Sequence, residues 1–581
     1  MKMRQRKPDA VAEVFAPARV SETISPDQRS RLGDVLISEQ ALSPEQLAAA
    51  LNLQLDSGRQ LGAILVEQGL LDPRALTRAL GTQLGLPTVD LRKETPSPDA
   101  LDKVPEATAR EFGIVPIRFI DGVLDVAVAD GVSPAMTEAL ARLQVDDVRI
   151  YLAPHGDVQT ALHTHYRVLN DSDENLRQIW ANSTPLQQEV EAIDGDAPII
   201  QLVNKLITQA LRDRASDVHV EPTDGRVRVR YRVDGALREV LSLPSSAGPE
   251  LVSRLKIMAE MDIVERRRPQ DGQFKTTVDG VAIDVRVATA ATIWGETAVL
   301  RILDKSRSMK KLSELGMPEV GLQRFRDIVH RPYGMVICSG PTGSGKTTTL
   351  YATLAEIART ELNVMTIEDP VEYVFPVVNQ MQINNQAEVT FASGLRSILR
   401  QDPDVILVGE VRDEETARIA VQSALTGHMV MSSLHATDAA SALHRLLDMG
   451  IEPFLVASSL VGVVGQRLVR KICSFCTAPY QPTPQELSWY ELHGGPAKTE
   501  FVRGAGCNFC ADTGFRERVG VYEVLTVTDE IRELMIGQAS AHEVRTMAIA
   551  QGMRTMGHEA VDLIANDVTT VDEVIRSVYV A

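Results

Sequence analysis

Eight residues, Gly340-Pro341-Thr342-Gly343-Ser344-Gly345-Lys346-Thr347, followed by Thr348, have the composition of a phosphate cradle. The run MVICS before them reads as a buried strand and TTTLYATLAEI after them as a helix, the setting that a Walker A loop requires. Glycines let backbone N–H groups turn inward, and the helix N-terminus adds positive potential. Lys346 can reach the terminal phosphates of a nucleotide and Thr347 can ligate Mg2+.

Carboxylates stand where such a loop needs them. The strand-like LNVMTIEDPVEY ends in Glu368, Asp369 and Glu372, which can position a water or the metal. The apolar run Val405–Val408 delivers Glu410 at a Walker B position, the best candidate to polarise the attacking water. Between them, Arg396 and Arg400 share one face of a helix. His428 starts and His435 ends a later strand-like run; each reads as an ordinary loop or core histidine or as a sensor of the γ-phosphate. Cys338, on the strand before the cradle, reads as a small hydrophobe.

The other four cysteines form two CxxC pairs, Cys473/Cys476 and Cys507/Cys510. Disulfides, a redox centre and a metal site all use such pairs. Two convergent pairs suit tetrahedral Zn2+, and four thiolates leave no open position for water, so the reading is structural zinc.

Other segments must position these groups. From Arg226 to Val233, Arg226, Arg228, Arg230 and Arg232 alternate with Val227, Val229, Tyr231 and Val233: a strand with one face for a core and one that is solvated or meets anions. Two later strands, 281–289 and 297–303, carry Arg286 and Arg301. At the front, Leu32, Gly33, Leu36, Leu42, Leu47, Ala50, Leu51 and Gln54 recur 29 residues on as Leu61, Gly62, Leu65, Leu71, Leu76, Ala79, Leu80 and Gln83. Each unit reads as two helices. The repeated Leu-Gly steps either permit close helix approach or offer N–H groups to an anion. Residues 98–167 predict a small α/β module with a turn at Asp121-Gly122, and the polar stretch 171–195 a linker.

With 581 residues the chain predicts roughly three or four domains. A net charge of −18 argues against bulk attraction to nucleic acid and for protein or small-molecule partners. The N-terminus lacks an export h-region and no window holds eighteen charge-free apolar residues. A cytosolic protein without a transmembrane segment is therefore expected, meeting the membrane through a protein partner.

RVDG, PQDGQF, GPTGSGKTTTLYATL, TIEDPVEY, ILRQDPDVILVGEVRDEETA, LTGH and DMGIEPFLVASSLVGVVGQRLVRKIC together resemble the type II secretion and type IV pilus assembly ATPases over residues 198–581, most closely the secretion ATPase. The resemblance implies an α/β protein with a RecA-like P-loop motor domain at 313–581 and a PAS-like middle domain at 196–305. A zinc subdomain is implied near 471–520, behind a flexible 1–25, a helical domain at 26–92 and an α/β domain at 93–170. It implies a homohexamer that hydrolyses ATP with Mg2+ to assemble a pseudopilus on inner-membrane platform proteins, contacted through the N-terminal domains. Arg286, Arg301, Arg396 and Arg400 would face phosphates, and His428 and His435 would form a histidine box, here followed by Ala436 where relatives usually have threonine. Some relatives bind cyclic di-GMP through tandem motifs, which would fall on Arg31, Leu32, Gly33 and Gln54 and on Leu61, Gly62 and Gln83. Pilus assembly, nucleic-acid translocation and a cyclic di-GMP scaffold without turnover are the rival functions.

Overall fold

The computed structural model describes residues 32–39, 41–57, 59–129, 131–166, 198–304 and 310–578. Residues 1–25, Arg31 and the linker 171–195 lie outside them. The chain divides into two compact units, Met1–Asn170 with Gly506–Thr513 and Asp171–Ala505 with Gly514–Ala581.

In the first unit the 29-residue repeat becomes two helix pairs, Leu32–Ser38 with Pro44–Ser57 and Leu61–Glu67 with Pro73–Leu84. Proline starts each second helix. Before it, Asp72 accepts the Arg74 N–H at 2.8 Å, and Ser43 and Gln46 cap each other reciprocally. Val35, Leu36 and Ala50 bury themselves with Ile64, Leu65 and Ala79, so each pair supplies half of one core. A Cβ on Gly33 would meet Leu47 Cδ2 at 2.9 Å, and one on Gly62 would meet Leu76 Cδ2 at 3.0 Å. Close helix approach is thus one function of both glycines. The α/β module is a three-stranded sheet of β1 (Val115–Ile120), β2 (Val123–Val128) and β3 (Asp147–Leu152). The β1–β2 turn is Asp121-Gly122, both left-handed, as a two-residue hairpin demands.

The second unit opens with an antiparallel sheet of β4 (Asp217–Thr223), β5 (Arg226–Val233), β6 (Ala236–Pro244), β7 (Gln270–Val278), β8 (Val281–Thr292) and β9 (Gly295–Asp304). Its order is β6-β5-β4-β9-β8-β7. Val227, Val229 and Tyr231 are fully buried, and the Tyr231 hydroxyl donates to the Leu206 carbonyl of helix Pro198–Arg212 at 2.7 Å. The arginine face is largely self-neutralised: Arg228 and Arg230 share Glu221, and Arg226 pairs with Glu239. Register sets Arg232, Asp217, Arg301 and Arg286 in one row across β5, β4, β9 and β8. Asp217 accepts from Arg301 Nε at 3.1 Å and lies 3.6 Å from Arg232 Nε.

The motor sheet contains β10 (Gly334–Ser339), β11 (Val364–Glu368), β12 (Asn379–Gln382), β13 (Val405–Val408), β14 (Met429–Leu434) and β15 (Leu460–Ile472). A side hairpin, β16 (Thr477–Tyr480) and β17 (Phe501–Gly504), precedes the last strand, β18 (Phe515–Thr526). The order β12-β11-β13-β14-β10-β15-β18 is parallel except for the β15–β18 edge pair. Its central strands β10, β11, β13 and β14 are buried from end to end because both faces are covered. Ile337, Ile406 and Val430 pack with Leu395, Ala420 and Leu443 on one side; Val336 and Leu407 pack with Phe325 and Leu354 on the other. This is the RecA-like α/β architecture expected for the motor. Cys338 lies in that second layer, where burial pushes its thiol up to about 12.

Candidate active site

Parallel pairing brings the C-terminal ends of β10, β11, β13 and β14 to one edge of the motor sheet. The cradle begins there. Gly340, Gly343 and Gly345 have φ of 153°, 76° and 91°, and helix Lys346–Ile357 follows. A Cβ on Gly340 would stand 2.5 Å from the Gln466 carbonyl oxygen and from Ser344 Oγ, so this turn excludes a side chain. Thr342, Gly343, Thr347 and Thr348 are exposed at the rim, whereas Ser344 is buried. Lys346 Nζ donates to the carbonyls of Gly340 at 2.8 Å and Pro341 at 3.0 Å. Burial lowers the Lys346 pKa, and the Glu410 carboxylate opposes that shift.

Glu410 follows β13 and is held by Arg412 on one side, with His435 Nε2 at 3.8 Å on the other. Partial desolvation first, then the Lys346 ammonium, lowers the pKa of His435, whose side chain is still 53% exposed. Lys346, Glu410 and His435 are thus gathered at one end of the sheet. His428 is not. Its carbonyl accepts from the Gly334 N–H at the start of β10, whereas the Gly340 N–H, at the end of β10, donates to Leu434. A strand of six residues, about 20 Å, separates the two histidines. His428 instead bonds through Nδ1 to the Ser423 carbonyl at 2.9 Å, so within one chain the histidine box contributes His435 alone to the cradle.

Glu368, Asp369 and Glu372, at and after the end of β11, divide by role. Glu368 is 3% exposed and receives hydrogen bonds from Tyr351, from Thr366 at 2.6 Å and from Gln380 at 3.2 Å. Its carboxylate braces β11 against the P-loop helix. Asp369 joins the following proline through a cis bond. Glu372 accepts from Arg286 at 3.0 and 3.4 Å, which carries the arginine row of the middle sheet to the motor edge. Arg301, more than half exposed, is held by Asp217. Arg396 pairs with Glu415 on helix Glu414–Leu425, and Arg400 is exposed.

Several functional neighbours carried no signal in sequence. Gln466, 1% exposed on β15, donates Nε2 to the Ser344 carbonyl at 2.8 Å and fixes the cradle from behind. Arg467 donates to the Thr437 carbonyl two residues past His435. Both lie in the quoted VGQRLVR run, but only strand register reveals which faces the loop.

All four thiols of Cys473, Cys476, Cys507 and Cys510 lie within 4.8 Å of one another, with 3.7 Å between the last two. Four Zn–S bonds of about 2.3 Å in a tetrahedron require Sγ–Sγ separations of about 3.8 Å. The donor set therefore fits zinc. Each CxxC forms its own turn, the Cys476 and Cys510 N–H groups each donating to the carbonyl of the first cysteine at 3.2 Å.

A model of the family "Type II/IV secretion system protein" matches residues 192–576. The chain belongs to that family. Over 556 residues the motor is 38% identical to the "Type IV pilus assembly ATPase PilB" of Myxococcus xanthus, covering 94% of this chain and 98% of that one. It is 38% identical to the "Type II secretion system protein E" of Xanthomonas campestris pv. campestris over 574 residues, 95% of this chain and 99% of the relative. With "Type II secretion system protein HxcR" of Pseudomonas aeruginosa it shares 45% over 406 residues, 70% and 82% of the two chains. An MshEN domain model matches residues 84–169, which begins just after the front repeat. The chain is accordingly a P-loop ATPase of the secretion and pilus motor family. Among the described residues no helix is long and apolar enough to cross a membrane.

Proposed function

We propose that this ATPase powers pseudopilus assembly in a type II secretion system, as a homohexamer on the cytoplasmic side of inner-membrane platform proteins, which it meets through its N-terminal domains. The observation that carries the catalytic part is the Arg286–Glu372 contact, which sets an arginine of the middle sheet against the acidic loop beside the cradle. ATP seats its phosphates on the N–H groups of 340–347, with Lys346 on the terminal phosphates. Thr347 and Asp369 would hold Mg2+, which would neutralise phosphate charge, while Glu368 keeps β11 and the P-loop helix in register. Glu410 takes the proton of the attacking water, and His435 beside it senses the γ-phosphate. Arg286 and Arg301 turn from carboxylate to phosphate as charge develops on the transferred group. After hydrolysis they return, and the middle domain swings back. Arg396 and Arg400 serve a phosphate in the same ring. The four thiolates hold structural Zn2+ and take no part in hydrolysis.

Phosphate release from the purified oligomer tests this reading. Stimulation by the cytoplasmic domain of a platform protein with acidic phospholipid supports it; stimulation by DNA supports a translocase instead. The front repeat is proposed to bind cyclic di-GMP, with Arg31, Leu32, Gly33 and Gln54 in one half-site and Leu61, Gly62 and Gln83 in the other. Its support is the shared register of the two units, and a calorimetric titration with cyclic di-GMP tests it.

A further inference from the structure

We infer that Asp234 and the backbone of Glu517 form a pivot that holds the middle domain on the motor so that Arg286 and Arg301 reach the phosphates. This inference rests on the phosphate role proposed above for those arginines. Both residues have left-handed backbones, with φ of 49° at Asp234 and 68° at Glu517. Asp234 owes its φ to the two-residue turn with Gly235 that joins β5 to β6. Glu517 has no such reason. On β18, Arg518 stands opposite Arg470 while Phe515 stands opposite Ile472, so Arg516 and Glu517 together face Lys471. That is a bulge, and a bulge re-aims the chain where it occurs.

Here it directs the Glu517 N–H to Asp234 Oδ2 at 2.9 Å. Side chains add to the clasp: Arg214 Nη1 lies 3.3 Å from Glu517 Oε1, and Arg518 Nε lies 4.0 Å from Asp234 Oδ1. A left-handed non-glycine residue is strained unless its surroundings compensate. The charge-assisted hydrogen bond to Asp234 is one such compensation.

Location gives the clasp its role. Asp234 lies two residues beyond Arg232, the end of the row that runs through Asp217 and Arg301 to Arg286. Three strand spacings, about 14 Å, separate β5 from β8. Among the described residues the middle domain thus meets the motor through the clasp of Asp234 and Arg214 on Glu517 and, farther along the row, through Arg286 on Glu372. A cavity of about 700 Å³ lies against both domains and is lined by Asp234 and Glu517, by Glu372, and by Gly345 and Thr348 of the cradle. When Arg286 leaves Glu372 for a phosphate, that point of attachment opens. The Asp234 clasp involves no group that the phosphates claim, so it remains and fixes the arc along which the row moves. Asp234 is thus a positioning residue, not a catalytic one.

The test uses the full-length oligomer with two variants whose residues tolerate φ near 50°. Asp234→Gly removes the acceptor, and Asp234→Asn keeps an amide oxygen for the Glu517 N–H. The expected result for D234G is a loss of about tenfold in kcat, binding of a fluorescent ATP analogue within about twofold of wild type, and faster hydrogen exchange at the Glu517 amide. D234N is expected within about threefold of wild-type kcat, because the N–H keeps a partner. Wild-type kcat in D234G, unchanged exchange at Glu517, or equal losses in the two variants would overturn the pivot. Wild-type turnover in an Arg286→Ala control would overturn the parent phosphate reading and the pivot with it; loss in R286A beside normal turnover in D234G overturns the pivot alone.

Discussion

Arg286 on β8 donates both terminal guanidinium nitrogens to Glu372, at 3.0 and 3.4 Å, across 86 residues of chain. Each side chain is about 30% exposed, so the pair sits at a domain border that water reaches. Exposed pairs are weak, about 0–1 kcal/mol, and a nucleotide phosphate of higher charge can replace the carboxylate. A contact of this kind holds a domain without locking it.

Glu410 is the carboxylate that lies between Arg412 and His435 near Lys346. Glu410→Gln keeps shape and removes the base. Turnover is expected to fall by about 10²–10⁴-fold while nucleotide binding is retained, read by phosphate release beside equilibrium binding.

His435 gives a pH dependence of defined sign. Its folded pKa is lowered, chiefly by partial desolvation, so below about pH 6.5 the unfolded chain binds a proton that the native site resists. The contribution to stability is complete above the unfolded pKa and is lost as pH falls toward the folded one. His435→Gln should therefore flatten part of the decline in urea midpoint between pH 7.5 and 5.5; parallel curves for the two proteins would remove this assignment.

For the cysteine centre, the purified chain is expected to carry one zinc per polypeptide by elemental analysis. Cys473 is buried, so Cys473→Ser should both release the ion and lower the melting temperature. Full zinc content in that variant would reject the four-thiolate site.

In the front repeat, Gly33→Ala pushes a methyl against Leu47, whose nearest carbon already stands 2.9 Å from the ideal Cβ. Movement of the Leu47 side-chain end and the helix preference of alanine offset this overpacking, so denaturant unfolding of the front unit should change by no more than about 1 kcal/mol. The cradle lies in the other unit, and ATP binding there should be unaffected.

What sequence could show follows local rules. The Walker loop, its strand and its helix are contiguous, so Gly340 to Thr348 were legible as a unit. The repeat was legible because Pro44 and Pro73 start equivalent helices. Even the zinc pairs needed only turn-length spacing. Pairings between distant segments were another matter. Nothing local announces that Gln466 faces Ser344, that Glu368 is buried under Tyr351 and Gln380, or that Asp234 captures Glu517. Those facts depend on strand order and on one bulge in β18. His428 shows the converse: a motif spacing of seven residues joined two histidines that an extended strand holds apart.

The most direct measurement of the central claim, that middle-domain arginines complete the ATPase site, is steady-state phosphate release by the oligomeric Arg286→Ala variant beside its affinity for a fluorescent ATP analogue. The expected result is near wild-type affinity with turnover reduced by about 10²-fold or more. Wild-type turnover in the intact oligomer would contradict it.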